Sequence, residues 1–82
     1  MKLRQAIKLL DKRIAYKIKK DYWLGSYAII GSNGFIVWGN GDEEMRGNLL
    51  PFTPSSFLED NWLAEINGEW IDDYKQAKEI LQ

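Results

Sequence analysis

The sequence of 82 residues predicts a single α+β domain spanning residues 1–82, in which an N-terminal helix packs on an antiparallel sheet of about four to five strands. A short helix before Trp62 and a C-terminal helix complete the expected architecture. Three observations predict this class: apolar residues recur at helical spacing near both ends, β-rich runs fill the middle, and Asn-Gly dipeptides join neighbouring runs.

The N-terminal segment has the pattern of an amphipathic helix. Its expected apolar stripe consists of Leu3, Ala6, Ile7 and Leu10, at positions i, i+3, i+4 and i+7. Residues 11–13 follow as a turn, and the alternation of apolar and polar residues over 14–19 predicts the first strand. Because side chains alternate between the two faces of a strand, Lys17 and Lys19 are expected on its polar face.

The Asn33-Gly34 dipeptide is the strongest local signal in the chain. It lies between two β-rich runs, residues 26–30 and 35–38, and Asn-Gly tolerates the two positive φ angles of a type I′ hairpin turn. A two-residue loop here pairs Ile30 with Val37. Both faces of the hairpin are apolar, which predicts that it lies in the centre of the sheet or under a partner.

Residues 45–53 follow no clear period, because Gly47 and Pro51 interrupt the pattern. We expect a loop there with one short strand at residues 48–50. Ser55 or Ser56 is expected to cap the short helix that follows.

The last part of the chain predicts a second hairpin and a helix. Strands at residues 62–66 and 69–71 flank the turn Asn67-Gly68. Asp72 and Asp73 are expected to open the C-terminal helix, because carboxylates stabilise the positive end of a helix dipole. The buried stripe of this helix is expected at Tyr74, Ala77 and either Ile80 or Leu81.

The composition excludes most familiar enzyme chemistry. The chain has no His and no Cys, so it can form neither Ser-His-Asp or Cys-His nucleophile arrangements nor thiolate zinc sites. Its glycine clusters match no phosphate-binding loop, and the acidic run at residues 42–44 lacks the calcium-loop pattern. We therefore expect a protein that is not an enzyme, with no catalytic residue, no metal and no cofactor.

Charge is divided unevenly along the chain, although the net charge is only −1. Residues 1–20 carry eight basic residues against Asp11 alone, and residues 21–82 carry three basic and eleven acidic residues. The basic end can bind an anion, or it can attract the acidic part within the fold or across a subunit interface. The net charge argues against nucleic acid as the partner.

The sequence shows no membrane segment. No stretch approaches the roughly 18 apolar residues that a membrane span needs, and Lys2, Arg4 and Lys8 interrupt the apolar residues at the start. We expect a cytoplasmic protein with no membrane partner.

Two stretches carry a family resemblance that together spans residues 3–66. The first comprises residues 5–10, residues 13–17, Trp23, Gly25 and residues 27–29; the second comprises residues 54–62, PSSFLEDNW. They resemble the Thoeris anti-defence sponges, small phage proteins with an Ala-Leu helix, a Val-Ala-Arg strand, a Trp-x-Gly before a second strand, and a closing Asp-Leu-Leu-Ala stretch before Asp-Trp. The sequence departs from that pattern at Tyr16, Ser56, Glu59 and Asn61.

The resemblance implies a helix packed on an antiparallel sheet, a homo-oligomer such as a dimer or tetramer, and pockets between subunits. Those pockets would sequester a cyclic nucleotide immune signal such as cyclic ADP-ribose in the cytoplasm of an infected bacterium. Sequestration needs no chemistry, in agreement with the missing His and Cys. A relative has been described as an anti-CRISPR inhibitor, so the resemblance also permits a protein-binding inhibitor of a host defence nuclease. A structural or interaction domain is the third interpretation.

The residues expected to bind the nucleotide are Lys17, Trp23, Tyr27, Ser55, Ser56, Asp60 and Asn61. A nucleotide combines phosphates that bind cations or N–H donors, ribose hydroxyls that bind polar groups, and a base that stacks on a ring. Lys17 supplies the cation, Trp23 and Tyr27 supply the rings, and the segment 55–61 supplies the polar groups. In the alternative interpretation Trp23 is a core residue, Ser56 is a helix cap, and residues 60–61 form a turn.

Overall fold

The chain folds as a helix packed on an antiparallel sheet, as the sequence predicts. The computed structural model describes residues 1–31, 34–40, 43–49 and 52–80, with residues 40 and 43–49 described by their backbone alone. The helices are α1 (Leu3–Asp11), α2 (Pro54–Leu58) and α3 (Tyr74–Ile80). The strands are β1 (Lys17–Lys20), β2 (Ser26–Ile30), β3 (Ile36–Asn40), β4 (Glu43–Leu49), β5 (Trp62–Ile66) and β6 (Glu69–Ile71).

The sheet has the strand order β4-β3-β2-β1-β5-β6, and every neighbouring pair is antiparallel. Strand β1 pairs with β2 on one side and with β5 on the other, so it joins the two hairpin systems of the chain. The central position of β1 brings residues from opposite ends of the sequence side by side. Lys17, for example, is the Cα partner of Glu65.

Strand alternation gives the sheet two different faces. The described helices pack on one face, where α1 contacts β1, β2 and β5, and where α2 and α3 contact α1. This helix face carries Ile18, Lys20, Ala28, Trp62, Ala64 and Ile66. The opposite face, called the open face below, carries Lys17, Lys19, Tyr27, Glu65 and Trp70.

Trp62 lies at the centre of the core, with 1% of its surface exposed. Its indole N–H donates to the Ser56 carbonyl at 3.0 Å, so burial leaves no unpaired donor on the ring. Leu3, Leu9 and Leu10 of α1 are buried in the same cluster. Trp62 therefore joins α1 and β5 in one core.

The central hairpin differs from the sequence-based register by one residue. Ile30 pairs with Ile36, and the expected pairing of Ile30 with Val37 is therefore wrong. The N–H of Gly34 donates to the Gly31 carbonyl at 3.0 Å, and Gly34 has φ +86°, as expected for a three-residue loop that ends in a left-handed residue. The expected turn residue Asn33 lies outside the described residues.

Strand β4 contains residues 48–49 of the short strand expected at residues 48–50, but it begins earlier, at Glu43, and the sheet has six strands. The loop expected at residues 45–47 is wrong, because this part of the chain belongs to β4, which pairs with β3. The register shifts between Val37 and Gly39, and such an irregularity lets an edge strand accommodate a glycine. Leu50, expected to end a short strand, lies outside the described residues.

Two expected boundaries near the helices also change. Strand β1 begins at Lys17 because the N–H groups of Ile14 and Ala15 bond back to the Leu9 carbonyl at 3.0 and 3.1 Å. The cap of α2 is Thr53 and not Ser55 or Ser56, with the Thr53 N–H donating to Ser56 Oγ at 3.3 Å.

The second hairpin and the C-terminal helix follow the sequence closely. Asn67 and Gly68 have φ values of +54° and +84°, and they form a two-residue turn between the paired residues Ile66 and Glu69. Asp73 caps α3, because its carboxylate accepts from the backbone N–H of Lys75 at 2.9 Å. Ala77 is buried and Tyr74 is half-buried, whereas Ile80 is exposed and Leu81 lies outside the described residues.

Within the described ranges, no helix combines the length and the apolar character needed to cross a bilayer.

Candidate ligand-binding site

The open face of the sheet contains a depression of about 330 Å³. Its lining consists of Lys17, Lys19, Gly25, Ser26, Tyr27, Glu65 and Trp70. We call this depression the sheet groove. Its volume lies at the low end of the range of roughly 300–1,000 Å³ that is typical of small-molecule sites.

Strand pairing assembles the groove from distant parts of the sequence. Lys17 of β1 is the Cα partner of Glu65 in β5, and Glu65 is in turn the partner of Trp70 in β6. These residues form one row across three strands, with a cation, a carboxylate and an aromatic ring in that order. Lys19 lies two residues along β1 and therefore on the same face.

The two lysine ammonium groups rest against aromatic rings. Lys17 Nζ lies 4.3 Å from the centroid of the Tyr27 ring, and Lys19 Nζ lies 4.8 Å from the centroid of the Trp70 ring. Lys17 Nζ is also 3.9 Å from Glu65 Oε2, which is an ion pair too long to be a hydrogen bond. These contacts hold both ammonium groups at the groove without filling their capacity to donate hydrogen bonds.

Tyr27 and Trp70 have different parts in the groove. The Tyr27 ring is 7% exposed and covers the backbone of Gly39, where a Cβ atom would overlap the ring. The Tyr27 ring therefore packs on the sheet and contacts the Lys17 ammonium group. Trp70 is half-buried and is the ring that a ligand can reach.

Trp23 packs against the core, as in the alternative interpretation of its role. Its ring centroid is 4.8 Å from that of Trp38 and 5.4 Å from that of Trp62, so the ring packs toward the helix face. Its backbone contacts a groove residue, because the Trp23 carbonyl accepts from Lys19 Nζ at 3.1 Å. Trp23 thus positions a groove lysine without offering its ring.

The polar segment expected to complete the site does not line the groove. Ser55 and Ser56 lie in α2, where both hydroxyls interact with Thr53 Oγ1, at 2.9 and 3.2 Å. An Asp60 carboxylate oxygen lies 3.7 Å from the Met1 ammonium nitrogen. The side-chain N–H of Asn61 donates to Asp21 Oδ1 at 3.3 Å. The structure thus brings Lys17 and Tyr27 together and separates them from these four residues.

Sequence reasoning did not select Lys19, Glu65 or Trp70 as ligand-binding residues. Lys19 was available from the two-residue period of β1, which already placed it beside Lys17. Glu65 and Trp70 become neighbours of Lys17 only through the pairing of β1 with β5, a contact between residues 48 positions apart in the numbering. No local sequence pattern predicts that pairing.

A larger cavity of about 550 Å³ lies at the other side of the fold, beside Met1, Asp60, Asp72 and Asp73. The Met1 ammonium there donates to the carbonyls of Asp72 at 2.8 Å and Trp62 at 3.0 Å. These bonds fix the start of α1 against β5. The Met1 ammonium is thus committed to backbone carbonyls of the fold, whereas the lysines of the groove keep N–H donors for a ligand.

Lys20 is a structural cation as well. Its ammonium group is hydrogen-bonded to Glu59 Oε2, and only 6% of the residue is exposed. The hydrogen bond to Glu59 raises the pKa of Lys20 above its usual value, and burial opposes this increase. Lys20 points to the helix face, so it takes no part in the groove.

Comparisons of the chain with protein-family models, with curated proteins and with solved structures find no match. The fold and the groove define the protein as a small α+β domain with a cationic and aromatic site on the open face of its sheet.

Proposed function

We propose that this protein binds a nucleotide in the sheet groove and sequesters it without chemical conversion. The observation that carries the proposal is the placement of two lysine ammonium groups, Lys17 and Lys19, beside the reachable ring of Trp70. Cations that neutralise phosphate next to a ring that stacks a base are the two parts that a nucleotide site needs.

Each group in the groove has a distinct part in binding. Lys17 and Lys19 are two residues apart on one strand, so their Cα atoms are about 7 Å apart, and both can reach one phosphate or diphosphate group. Trp70 presents its ring to the base once Lys19 turns from the ring to the phosphate. The exchange favours the bound state, because a charge-assisted hydrogen bond to phosphate is stronger than an exposed cation–π contact.

The ligand class follows from the sequence resemblance. The Thoeris anti-defence sponges sequester cyclic nucleotide signals, so cyclic ADP-ribose and related compounds are the first ligands that we propose. The absence of His and Cys supports binding without catalysis. On this proposal the protein acts in the cytoplasm of an infected bacterium and protects a phage from an immune signal.

A homo-oligomer is part of the proposal. The groove is open on the side away from the sheet, and a ligand held there remains exposed to water. A second subunit laid against the open face would enclose the ligand and increase the buried fraction of its surface.

One observation favours the alternative function, inhibition of a host defence nuclease through protein contact. Leu24 is 93% exposed and lies beside Trp23 and Trp38 at a second depression, of about 190 Å³. An exposed leucine beside two half-buried tryptophans gives this depression an apolar lining, which suits contact with another protein.

Native mass spectrometry with a panel of nucleotides tests the proposed function. The panel contains cyclic ADP-ribose, ADP, cyclic AMP and inorganic phosphate. We expect an adduct with at least one nucleotide at micromolar concentration and no adduct of comparable occupancy with phosphate alone. A chain that binds none of the nucleotides would contradict the proposal and favour the protein-binding alternative.

A further inference from the structure

Glu65 lies in the middle of the cationic and aromatic row of the sheet groove. Its strand neighbours on that face are Lys17 on one side and Trp70 on the other. Its side chain is 20% exposed, and its oxygen Oε2 is 3.9 Å from Lys17 Nζ. Among the described residues no side chain or backbone donor forms a hydrogen bond to this carboxylate, so its acceptor sites are available to a ligand.

A carboxylate beside two lysines is unexpected in a site that binds only an anion, because it repels a phosphate group. An ionised carboxylate accepts hydrogen bonds and donates none. The ligand that fits it must therefore carry hydroxyl or amino donors in addition to its negative charge.

The order of the groups across the strands identifies those donors. Neighbouring strands are about 4.8 Å apart, so the Cα atoms from Lys17 through Glu65 to Trp70 span about 10 Å. A nucleotide presents phosphate, ribose and base in the same order and on the same scale. With phosphate at Lys17 and base at Trp70, the ribose hydroxyls come to Glu65.

We infer that Glu65 selects ribose-bearing ligands by accepting hydrogen bonds from the ribose hydroxyls. The inference rests on the proposed nucleotide-binding function, and it adds the sugar as the determinant of specificity. Glu65 thereby lowers the affinity for simple anions and for nucleotides that lack these hydroxyls.

Titration calorimetry with ADP and 2′,3′-dideoxy-ADP tests this assignment on the full chain. The variants are Glu65→Gln, which removes the charge, and Glu65→Ala, which removes the acceptor. Glu69→Gln is the matched control, because Glu69 is an exposed residue of β6 that does not line the groove. We expect the wild type to bind ADP about tenfold or more tightly than the dideoxy compound.

The ratio of the two affinities should fall in Glu65→Gln, fall further toward one in Glu65→Ala, and stay unchanged in Glu69→Gln. Equal affinities for the two nucleotides in the wild type would overturn the inference, as would a ratio that the Glu65 variants leave intact. A uniform gain in affinity for both ligands would mean that Glu65 only repels phosphate, which also overturns it.

Cyclic ADP-ribose, titrated in the same series, separates this inference from the function on which it rests. Binding of cyclic ADP-ribose that Glu65→Gln and Glu65→Ala leave unchanged overturns the selection by ribose hydroxyls and leaves the proposed function standing. Binding of no nucleotide at all overturns both.

Discussion

Met1 and Trp62 exchange two backbone hydrogen bonds. The N–H of Trp62 donates to the Met1 carbonyl at 3.0 Å, and the Met1 ammonium donates to the Trp62 carbonyl at 3.0 Å. The segment that leads into α1 is therefore tied to the first residue of β5, whose ring is buried in the core. This connection holds the helix layer on the sheet and leaves the other face of the sheet open.

Truncation of Trp62 to Ala should lower the free energy of unfolding by about 3–5 kcal/mol, because it empties a large site at the centre of the core. Urea unfolding measures the change. The matched variant is Trp70→Ala, which removes a half-buried ring from the open face and should have a clearly smaller effect. Equal effects for the two tryptophans would show that the core is wrongly placed.

Gly39 should resist substitution by Ala. A Cβ atom at this position overlaps the Tyr27 ring, so Gly39→Ala should cost about 1–3 kcal/mol of stability. In the Tyr27→Ala background the same substitution should cost much less, and a double-mutant cycle measures the difference. Additive effects of the two substitutions would contradict the packing of the ring on this strand.

The Lys20–Glu59 pair should give the protein an alkaline stability limit. The pKa of Lys20 is raised in the folded state, chiefly by its hydrogen bond to Glu59. A raised pKa of a basic group stabilises the fold at pH values below the unfolded pKa of about 10.4, and this stabilisation is lost as the pH rises through the folded value.

The pair can be tested by unfolding at pH 7 and at several pH values above 10. Glu59→Gln should cost about 1–3 kcal/mol at pH 7, because it leaves a buried ammonium group without its carboxylate. Glu59→Gln should also reduce the fall in the free energy of unfolding above pH 10. Glu69→Gln should leave the free energy of unfolding at pH 7 and its fall above pH 10 unchanged. The same alkaline decline in Glu59→Gln and in the wild type would assign it to other groups, such as the tyrosines.

We expect a homo-oligomer at micromolar concentration. A second subunit on the open face would cover the half-buried Trp70 ring and remove apolar surface from water. Light scattering should give at least the mass of a dimer, and Trp70→Glu should reduce it, whereas Lys12→Glu, at an exposed position away from the groove, should not. A monomeric mass for the wild type would remove the enclosed site from the proposed function.

Local patterns predict the parts of the fold that depend on neighbours in the sequence. The helix α1 and the Asn67-Gly68 turn are of this kind, and both are confirmed, although α1 buries Leu9 in addition to the expected stripe and leaves Ile7 half-buried. Local patterns do not determine the register of the central hairpin, because a glycine at position 34 is compatible with either a two-residue or a three-residue loop. The slip of one residue places Tyr27 on the face opposite to Trp38.

The candidate site depends on contacts that local patterns do not contain. Lys17 was identified from its strand, but its neighbours Glu65 and Trp70 come from the other half of the chain. Sequence reasoning favours the segment containing Ser55 and Asp60 for its polar side chains. In the structure the Ser55 hydroxyl interacts with Thr53, the cap of α2, and the Asp60 carboxylate lies close to the Met1 ammonium, so neither side chain lines the groove.

One calorimetric comparison distinguishes a nucleotide site in the sheet groove from a site at the segment before β5. Cyclic ADP-ribose, or the nucleotide that binds best in the native mass spectra, is titrated into four proteins: wild type, Lys17→Ala/Lys19→Ala, Asp60→Ala, and Lys12→Ala as a control for lost charge. Removal of the groove lysines should weaken binding about tenfold or more, because charge-assisted hydrogen bonds to phosphate are lost, while Asp60→Ala and Lys12→Ala stay within about twofold of the wild type. Wild-type affinity in the double lysine variant, together with loss of binding in Asp60→Ala, would place the site at the segment before β5 and contradict nucleotide binding in the sheet groove.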